Sequence, residues 1–176
     1  MLLGLIRHGI TDYNVKNQLQ GWLDIPLNEE GKKQAYLIEH ITGIKWSEII
    51  TSDLLRAMQT AQIISDKFCI PITKTAKIRE RNFGVYEGRP LADCTHIDQS
   101  QIESKECFEN RVYDFMYDIT TKRAIEDIII VSHQGVLKLI SKFLGEDQKE
   151  FLHTKLYTYF VNSNPKKRSP CSIYLS

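Results

Sequence analysis

The sequence predicts an α/β protein, a three-layer α/β/α sandwich with a mostly parallel central sheet and a short lid insertion. Two observations predict this class. Short apolar runs alternate along the chain with amphipathic stretches at helical spacing, and this alternation is typical of parallel strands joined by crossover helices. The most apolar run, at residues 127–131, is β-branched on consecutive positions, as expected for a strand buried on both faces.

Each predicted strand corresponds to one short apolar run. In chain order these runs lie at residues 2–7, 48–51, 71–75, 127–131, 155–161 and 172–175. The run at 71–75 is expected at an edge of the sheet, and the run at 127–131 in its middle. Between the last two runs, the basic triplet at 166–168 is interpreted as part of a solvated loop.

Helices are predicted where apolar residues recur on one face. The corresponding stretches are residues 29–42, 53–68, 108–119 and 135–144. Gly43 and Gly145 are expected to end the first and the last helix. Asp53 or Ser52 is the expected N-cap of the second.

Residues 84–106 do not follow the alternation. This stretch contains Gly88, Pro90 and many polar residues, so we expect an irregular, lid-like excursion over one face of the molecule. The chain has 176 residues, which suits one domain with its own core and is too short for two of ordinary size. We therefore expect a single domain over residues 1–176.

Composition narrows the classes of function. Lys and Arg number 23 against 22 acidic residues, a net charge of +1, which disfavours a general nucleic-acid binder because such proteins carry a basic excess. The sequence has no apolar run long enough to cross a membrane and no secretory signal pattern. The four cysteines show no zinc-site spacing and are interpreted as reduced, mostly packed thiols. The expected location is the cytoplasm.

Polar side chains with cationic or nucleophilic character follow three of the predicted strands. Arg7 and His8 follow the first strand, Arg56 lies one turn into the helix after the second, and His133 follows the most apolar strand. In parallel sheets these strand ends meet at one edge, where ligands bind. Because such groups repel one another without a counter-anion, we expect an anionic ligand, and phosphate suits paired guanidinium groups best.

Four motifs in order resemble those of the histidine phosphatase superfamily, the group named for phosphoglycerate mutase. They are LIRHGIT at residues 5–11, TSDLLRAMQTA at 51–61, RERNFGVYEG at 79–88 and VSH at 131–133. Intervening segments at 12–14, 19–22 and 24–31 follow the family's order as well. The resemblance covers the chain from Leu2 to about Gly145, and four motifs in order are far more specific than any one alone.

The resemblance implies a role for each motif residue. His8 is the expected nucleophile, which carries the phosphoryl group while its second ring nitrogen is held as a donor, usually by a backbone carbonyl. Arg7, Arg56 and His133 are expected to bind the equatorial phosphoryl oxygens. Glu80 matches the general acid that protonates the leaving alkoxide and then deprotonates the attacking water.

Four further positions are expected to contact substrate or shape the mouth of the site, and these are Asn14, Gln20, Gly21 and Gln134. Gln134 stands where many relatives have glycine; its backbone N–H is expected to donate to the bound oxygens, and its side chain to narrow the pocket. Glu87 competes with Glu80 and is interpreted as a structural carboxylate that holds Arg89 or backbone amides. His96 lies in the predicted lid. The sequence leaves open whether Glu87 or His96 contributes to the site.

The implied activity is hydrolysis of small phosphorylated metabolites without a metal or cofactor. Mutase-type phosphoryl transfer is the first alternative, and a non-catalytic phosphoester-binding sensor is the second. The stretch between the third and fourth motifs is short and offers few cations for a second phosphate, namely Arg89, Lys105, Arg111, Lys122 and Arg123. The last four are expected mostly on the solvent face of the third helix. These features favour a phosphatase, while the complete set of catalytic residues disfavours a sensor. The sequence specifies neither the natural substrate nor the oligomeric state.

Overall fold

One sheet lies at the centre of the computed structural model, which describes residues 1–39, 41, 43–122 and 126–161. Within these residues its strands are β1 (Leu2–Arg7), β2 (Glu48–Ser52), β3 (Ile72–Thr75), β4 (Ile128–Ser132) and β5 (Leu156–Phe160). Their order across the sheet is β3-β2-β4-β1-β5. The first four are parallel, whereas β5 runs antiparallel to β1. The mostly parallel sheet is therefore confirmed, with β3 at an edge as expected.

Helices cover both faces of this sheet. They are α1 (Asp12–Val15), α2 (Glu29–Tyr36), α3 (Leu55–Phe68), α4 (Lys105–Lys122) and α5 (Gln134–Phe143). Buried residues of α3 pack on one face of the sheet with Trp46 and Ile49. Buried residues of α4 and α5 pack on the other face, and α2 packs against α3. The predicted three layers are confirmed.

Strand β4 lies in the middle of the sheet, between β1 and β2. All five of its residues are buried, and the alternating side chains Ile128 and Ile130 enter one core while Ile129 and Val131 enter the other. The consecutive β-branched residues thus serve both faces.

Helix α2 is shorter than the sequence indicates. It ends at Tyr36, although Ile38 and Ile41 are buried in the same core beyond its end. Nζ of Lys67 in α3 donates to the carbonyl oxygens of Tyr36 and Ile38, at 2.8 and 3.1 Å. Because a side chain from another helix satisfies these carbonyls, the chain can leave the helix here and still bury its apolar residues.

The predicted N-cap of α3 is wrong. The cap residue is Leu54, which makes no side-chain capping bond. Asp53 is held instead by Arg79, whose Nε and Nη2 donate to its two carboxylate oxygens at 2.7 and 2.6 Å. A bidentate ion pair outweighs a single capping bond, so tertiary structure overrides the local pattern.

The stretch between β3 and α4 is irregular, as expected. It contains short 3-10 turns at Gly84–Tyr86, Leu91–Asp93 and Gln99–Gln101. Cys69 and Cys107 are free and exposed, so the interpretation of mostly packed thiols is wrong for these two. No helix in the described ranges is both long and apolar enough to cross a membrane. The predictions for residues 166–168 and 172–175 lie outside the described residues.

Candidate active site

His8 lies just beyond the end of β1 and is only 4% exposed. Its Nδ1 is 2.7 Å from the carbonyl oxygen of Gly9. Since a carbonyl oxygen only accepts, the proton must be on Nδ1, and the lone pair of the neutral ring is then on Nε2. A backbone carbonyl thus holds the second ring nitrogen of His8, the arrangement expected of a nucleophilic histidine.

Burial lowers the pKa of His8 well below its usual range, and the charges of Arg56 and His153 lower it further. The ring is therefore neutral at ordinary pH. A neutral imidazole keeps the lone pair that attack on phosphorus requires.

Two arginines supply the positive charge of the site. Arg56 is 1% exposed, and its Nη1 and Nη2 donate to the carbonyl oxygens of Leu23 and Gly21, at 2.9 and 2.8 Å. Burial lowers its pKa to about 10, so it stays charged at neutral pH. Nη1 of Arg7 donates to the carbonyl oxygen of Phe151 at 3.2 Å. The Nε groups of both arginines are buried without a hydrogen-bond partner among the described residues, so each keeps a donor for an anion.

His133 directly follows β4 and lies beside the nucleophile. The centroids of its ring and the His8 ring are 5.2 Å apart. Its Nε2 is 2.9 Å from Oγ of Ser52 at the end of β2, while its buried Nδ1 has no partner within the described part of the chain. Burial, followed by the charge of Arg56, lowers its pKa well below the usual range. His133 is therefore a neutral donor candidate.

Glu80 reaches this edge from the segment after β3. Its Oε1 accepts from the N–H of Arg81 at 2.9 Å, and its Oε2 accepts from the N–H of Gly135 at 3.0 Å. Burial lowers the pKa of both Arg7 and Arg56, and the negative charge of Glu80 opposes this shift, so the carboxyl group lies close to the arginines. A Cβ at position 135 would be 2.3 Å from Oε1 of Glu80; only glycine leaves room for this contact.

The four positions expected to contact substrate or shape the mouth of the site have different hydrogen-bond partners. Oδ1 of Asn14 accepts from the N–H of Thr11 at 3.1 Å, and Oε1 of Gln20 accepts from the Thr11 hydroxyl at 3.0 Å. Gly21 offers its carbonyl oxygen to Arg56. Oε1 of Gln134 accepts from the N–H of Phe151 at 3.1 Å, and the carbonyl of Phe151 in turn holds Arg7. Gln134 thus supports Arg7 through one backbone residue.

Three residues near the nucleophile were not predicted as part of the site. Nδ1 of His153 donates to the carbonyl oxygen of His8 at 2.6 Å, and burial together with Arg7 lowers its pKa to about 4. The hydroxyl of Thr60 accepts from the N–H of Gly9 at 3.0 Å. The third is Ser52. Their importance depends on contacts between distant segments, and a serine, a threonine or a histidine carries no local signal of such contacts.

The structure shows the positions of Glu87 and His96, whose contribution to the site the sequence leaves open. Oε1 of Glu87 accepts from the N–H groups of Trp22 and Phe83, at 2.8 and 2.9 Å, so this carboxylate holds backbone amides. His96 is exposed. The expected solvent-face position of Arg111 is wrong, because its side chain is only 19% exposed and is paired with Glu103.

Comparisons with known proteins agree with the geometry of the site. Residues 3–163 match the family model described as the histidine phosphatase superfamily, branch 1. The uncharacterized phosphatase PhoE of Bacillus subtilis is 31% identical over 157 residues, which cover 86% of this chain and 81% of that protein. The broad-specificity phosphatase YOR283W of Saccharomyces cerevisiae is 30% identical over 159 residues, covering 81% and 69%. The α-ribazole phosphatase structure from Shigella flexneri superposes with a TM-score of 0.79 at 26% identity, covering 92% and 91%.

Proposed function

Because the chain belongs to branch 1 of the histidine phosphatase superfamily and is a phosphatase, we propose that it hydrolyses phosphomonoesters of small metabolites through a phosphohistidine on His8. One observation carries the proposal. Nδ1 of His8 is fixed by the carbonyl of Gly9, so Nε2 presents its lone pair near the buried guanidinium group of Arg56 and the partly buried one of Arg7. This arrangement combines a nucleophile with a binding site for the group that it attacks.

The reaction has two displacements. In the first, Nε2 of His8 forms a bond to phosphorus as the bond to the ester oxygen breaks, and Glu80 gives its proton to the leaving alkoxide. In the second, Glu80 takes a proton from water, the water oxygen attacks phosphorus, and the bond to Nε2 breaks to release phosphate. Arg7, Arg56 and His133 stabilise the charge on the equatorial oxygens in both steps.

A second phosphorylated substrate would need free cations to bind its phosphate. The cations that the structure describes between the third and fourth motifs already have other partners, which disfavours transfer of the phosphoryl group to such a substrate. Among the described ones, Arg111 is bound to Glu103, and Lys122 is paired with Asp118. Arg89 is exposed and lies over the ring of Tyr86. Nζ of Lys105 lies 3.9 Å from Oε1 of Glu109. Each of these four cations thus has a partner other than a second phosphate, and hydrolysis is the simpler outcome.

The proposal extends to the class of substrate, the partners and the cellular location of the protein. We expect a small phosphorylated metabolite, no nucleic-acid or membrane partner, and neither a metal nor a cofactor. A reducing, cytoplasmic location fits the free thiols of Cys69, Cys94 and Cys107.

The test is hydrolysis of p-nitrophenyl phosphate in the presence of EDTA, comparing the intact protein with His8→Ala. His96→Ala is a matched control, because it removes an exposed histidine. We expect turnover that survives EDTA, is unchanged in the control and falls by at least about 10³-fold in His8→Ala. Acid-labile, base-stable phosphate trapped on the denatured protein identifies the phosphohistidine. Phosphate binding without turnover in the intact protein would instead favour the sensor.

A further inference from the structure

All five N–H donors of Arg111 are engaged. Its Nε and Nη2 donate to the two carboxylate oxygens of Glu103, at 2.9 and 2.8 Å. Its Nη1 donates to the carbonyl oxygens of Lys77 and Arg79, at 2.9 and 2.8 Å. Its Nη2 also donates to the carbonyl oxygen of Glu80 at 3.2 Å. One guanidinium group in α4 therefore binds the backbone of the segment that carries Glu80.

This segment depends on such bonds. Residues 79–83 are all described and form neither helix nor strand, so side chains must satisfy much of their backbone. Besides Arg111, Nε1 of Trp22 donates to the carbonyl oxygen of Glu80 at 2.6 Å. The Glu103 carboxylate that holds Arg111 also accepts from the N–H of Asn82 at 3.0 Å. The ion pair of Arg111 and Glu103 thus forms hydrogen bonds with the backbone on both sides of Glu80.

The carboxyl group of Glu80 takes its orientation from this backbone. One oxygen is bound by the N–H of the next residue, Arg81, and the other by Gly135 in α5. A shift of the segment would therefore move the carboxyl group relative to His8. We propose that Arg111, paired with Glu103, is a positioning residue that holds Glu80 where it can protonate the leaving group. The proposal rests on the acid role given to Glu80 above.

A misplaced acid has a distinctive kinetic signature. The p-nitrophenolate ion is a weak base and leaves readily without a proton, whereas phenolate is more basic and needs one. Loss of the acid should therefore slow phenyl phosphate much more than p-nitrophenyl phosphate. A general loss of folded protein slows both equally, so the ratio of the two rates is independent of the folded fraction.

The experiment measures kcat/KM for both esters, in the intact protein and in Glu80→Gln, Arg111→Met and Arg111→Lys. This quantity reports the first displacement, in which the leaving group departs, and not the hydrolysis of the phosphohistidine that both esters share. Asp118→Asn is the control, because Asp118 also joins α4 to the segment before Glu80, through Lys77 at 3.0 Å. We expect Glu80→Gln and Arg111→Met each to lose at least about 10-fold more on phenyl phosphate than on p-nitrophenyl phosphate. Arg111→Lys should show a smaller bias, and the control none.

The outcomes separate the two proposals. If Glu80→Gln loses equally on both esters, the acid role of Glu80 is wrong and the positioning role falls with it. If Glu80→Gln shows the bias but both Arg111 variants lose equally on the two esters, or lose nothing, the positioning role alone is overturned. Should Arg111→Met not fold, Arg111→Lys decides by the same ratio.

Discussion

The proton on His133 is placed by a chain of three groups. The N–H of Leu54 donates to Oγ of Ser52 at 3.3 Å, and Oγ lies 2.9 Å from Nε2 of His133. This bond occupies one lone pair of Ser52, and we expect its hydroxyl to donate to Nε2, which would leave the ring proton on Nδ1. Nδ1 is the buried nitrogen without a partner among the described residues. We therefore predict that Ser52 favours the tautomer that can donate to a phosphoryl oxygen.

Replacing Ser52 by alanine tests this chain. We expect kcat/KM for p-nitrophenyl phosphate to fall about 10-fold, because one neutral hydrogen bond is worth about 1 kcal/mol and the wrong tautomer becomes accessible. Ser52→Thr keeps the hydroxyl and should retain more activity. Equal activity in Ser52→Ala and the intact protein would show that His133 is oriented without Ser52.

At this scale the sequence predicted which groups lie together at the site, but not the residues that support them. His8, Arg7, Arg56, Glu80 and His133 stand in recognisable motifs and lie together in the structure. Ser52 is 81 positions from His133, and Arg111 is 31 positions from Glu80. No local pattern marks a bond between residues so far apart, so these supports could be found only from the folded chain.

The start of helix α2 touches the loop that carries the nucleophile, backbone against backbone. A Cβ at Gly31 would be 2.1 Å from the carbonyl oxygen of Ile10, and a Cβ at Gly9 would be 2.6 Å from that of Gly31. Neither obstacle is the end of a flexible side chain, so neither can move aside easily. The side chain of Asn28, the N-cap of α2, accepts from the N–H of Gly31 at 2.9 Å and fixes the helix there.

Replacing Gly31 by alanine should separate the helix from this loop. We expect a loss of about 2 kcal/mol or more in the free energy of unfolding, measured in urea, and a fall in kcat as the loop of His8 shifts. Lys33→Ala is the control, because it adds an alanine at an exposed position of the same helix, and it should change stability by less than about 0.5 kcal/mol. A Gly31→Ala protein as stable as the control would contradict the close contact.

Element ends were harder to predict than element cores. The apolar spacing located α3, α4, α5 and β4 because each buries a continuous face. The end of α2 is set by Lys67, and the start of α3 is altered by Arg79, and both cations come from other elements. The sequence signals helix ends only through local capping residues. At these two ends, side chains from other elements determine the boundary instead.

Three histidines lie together at the edge of the sheet, His8 and His133 buried and His153 partly buried, and this affects the stability of the whole molecule. The pKa values of His8, His133 and His153 are all lowered, chiefly by burial. In the unfolded chain these rings take up protons near their ordinary pKa of about 6.5. Below that pH the unfolded state therefore binds more protons than the folded state, and stability falls as pH falls.

The predicted slope is about 1.4 kcal/mol per pH unit for each histidine that stays neutral when folded. Urea unfolding at about pH 7, 6 and 5 measures it, above the range in which carboxylates such as Asp53 begin to titrate. His153→Asn should reduce the slope by the contribution of one proton, about 1.4 kcal/mol per pH unit. This reduction should hold at every pH from the ordinary histidine pKa down to the folded pKa of His153, about 4. His96→Asn, which changes an exposed ring, should leave the slope unaltered. A flat profile would mean that the buried rings accept protons in the folded state.

The layered architecture was the most predictable property of the molecule. It follows from the alternation of elements and from one run of β-branched residues, which are averages over many positions. The clustering of three histidines was not predicted, because His153 reaches the site through its own bridge to Arg7, next to the pairing of β5 with β1. That pairing is antiparallel and departs from the simple parallel pattern.

Strand β1 is the first strand in the chain, yet both of its neighbours come late. It pairs with β4 through Leu3 and Ile128 and with β5 through Leu3 and Tyr159. On the ribosome, β1 therefore emerges as an apolar segment with both edges open, and its partners are available only after β4 and β5 have been synthesised. Pairings this distant in sequence also form slowly. The nascent chain consequently carries His8 long before its surroundings exist, and the candidate active site can form only after β4 and β5 have joined the sheet.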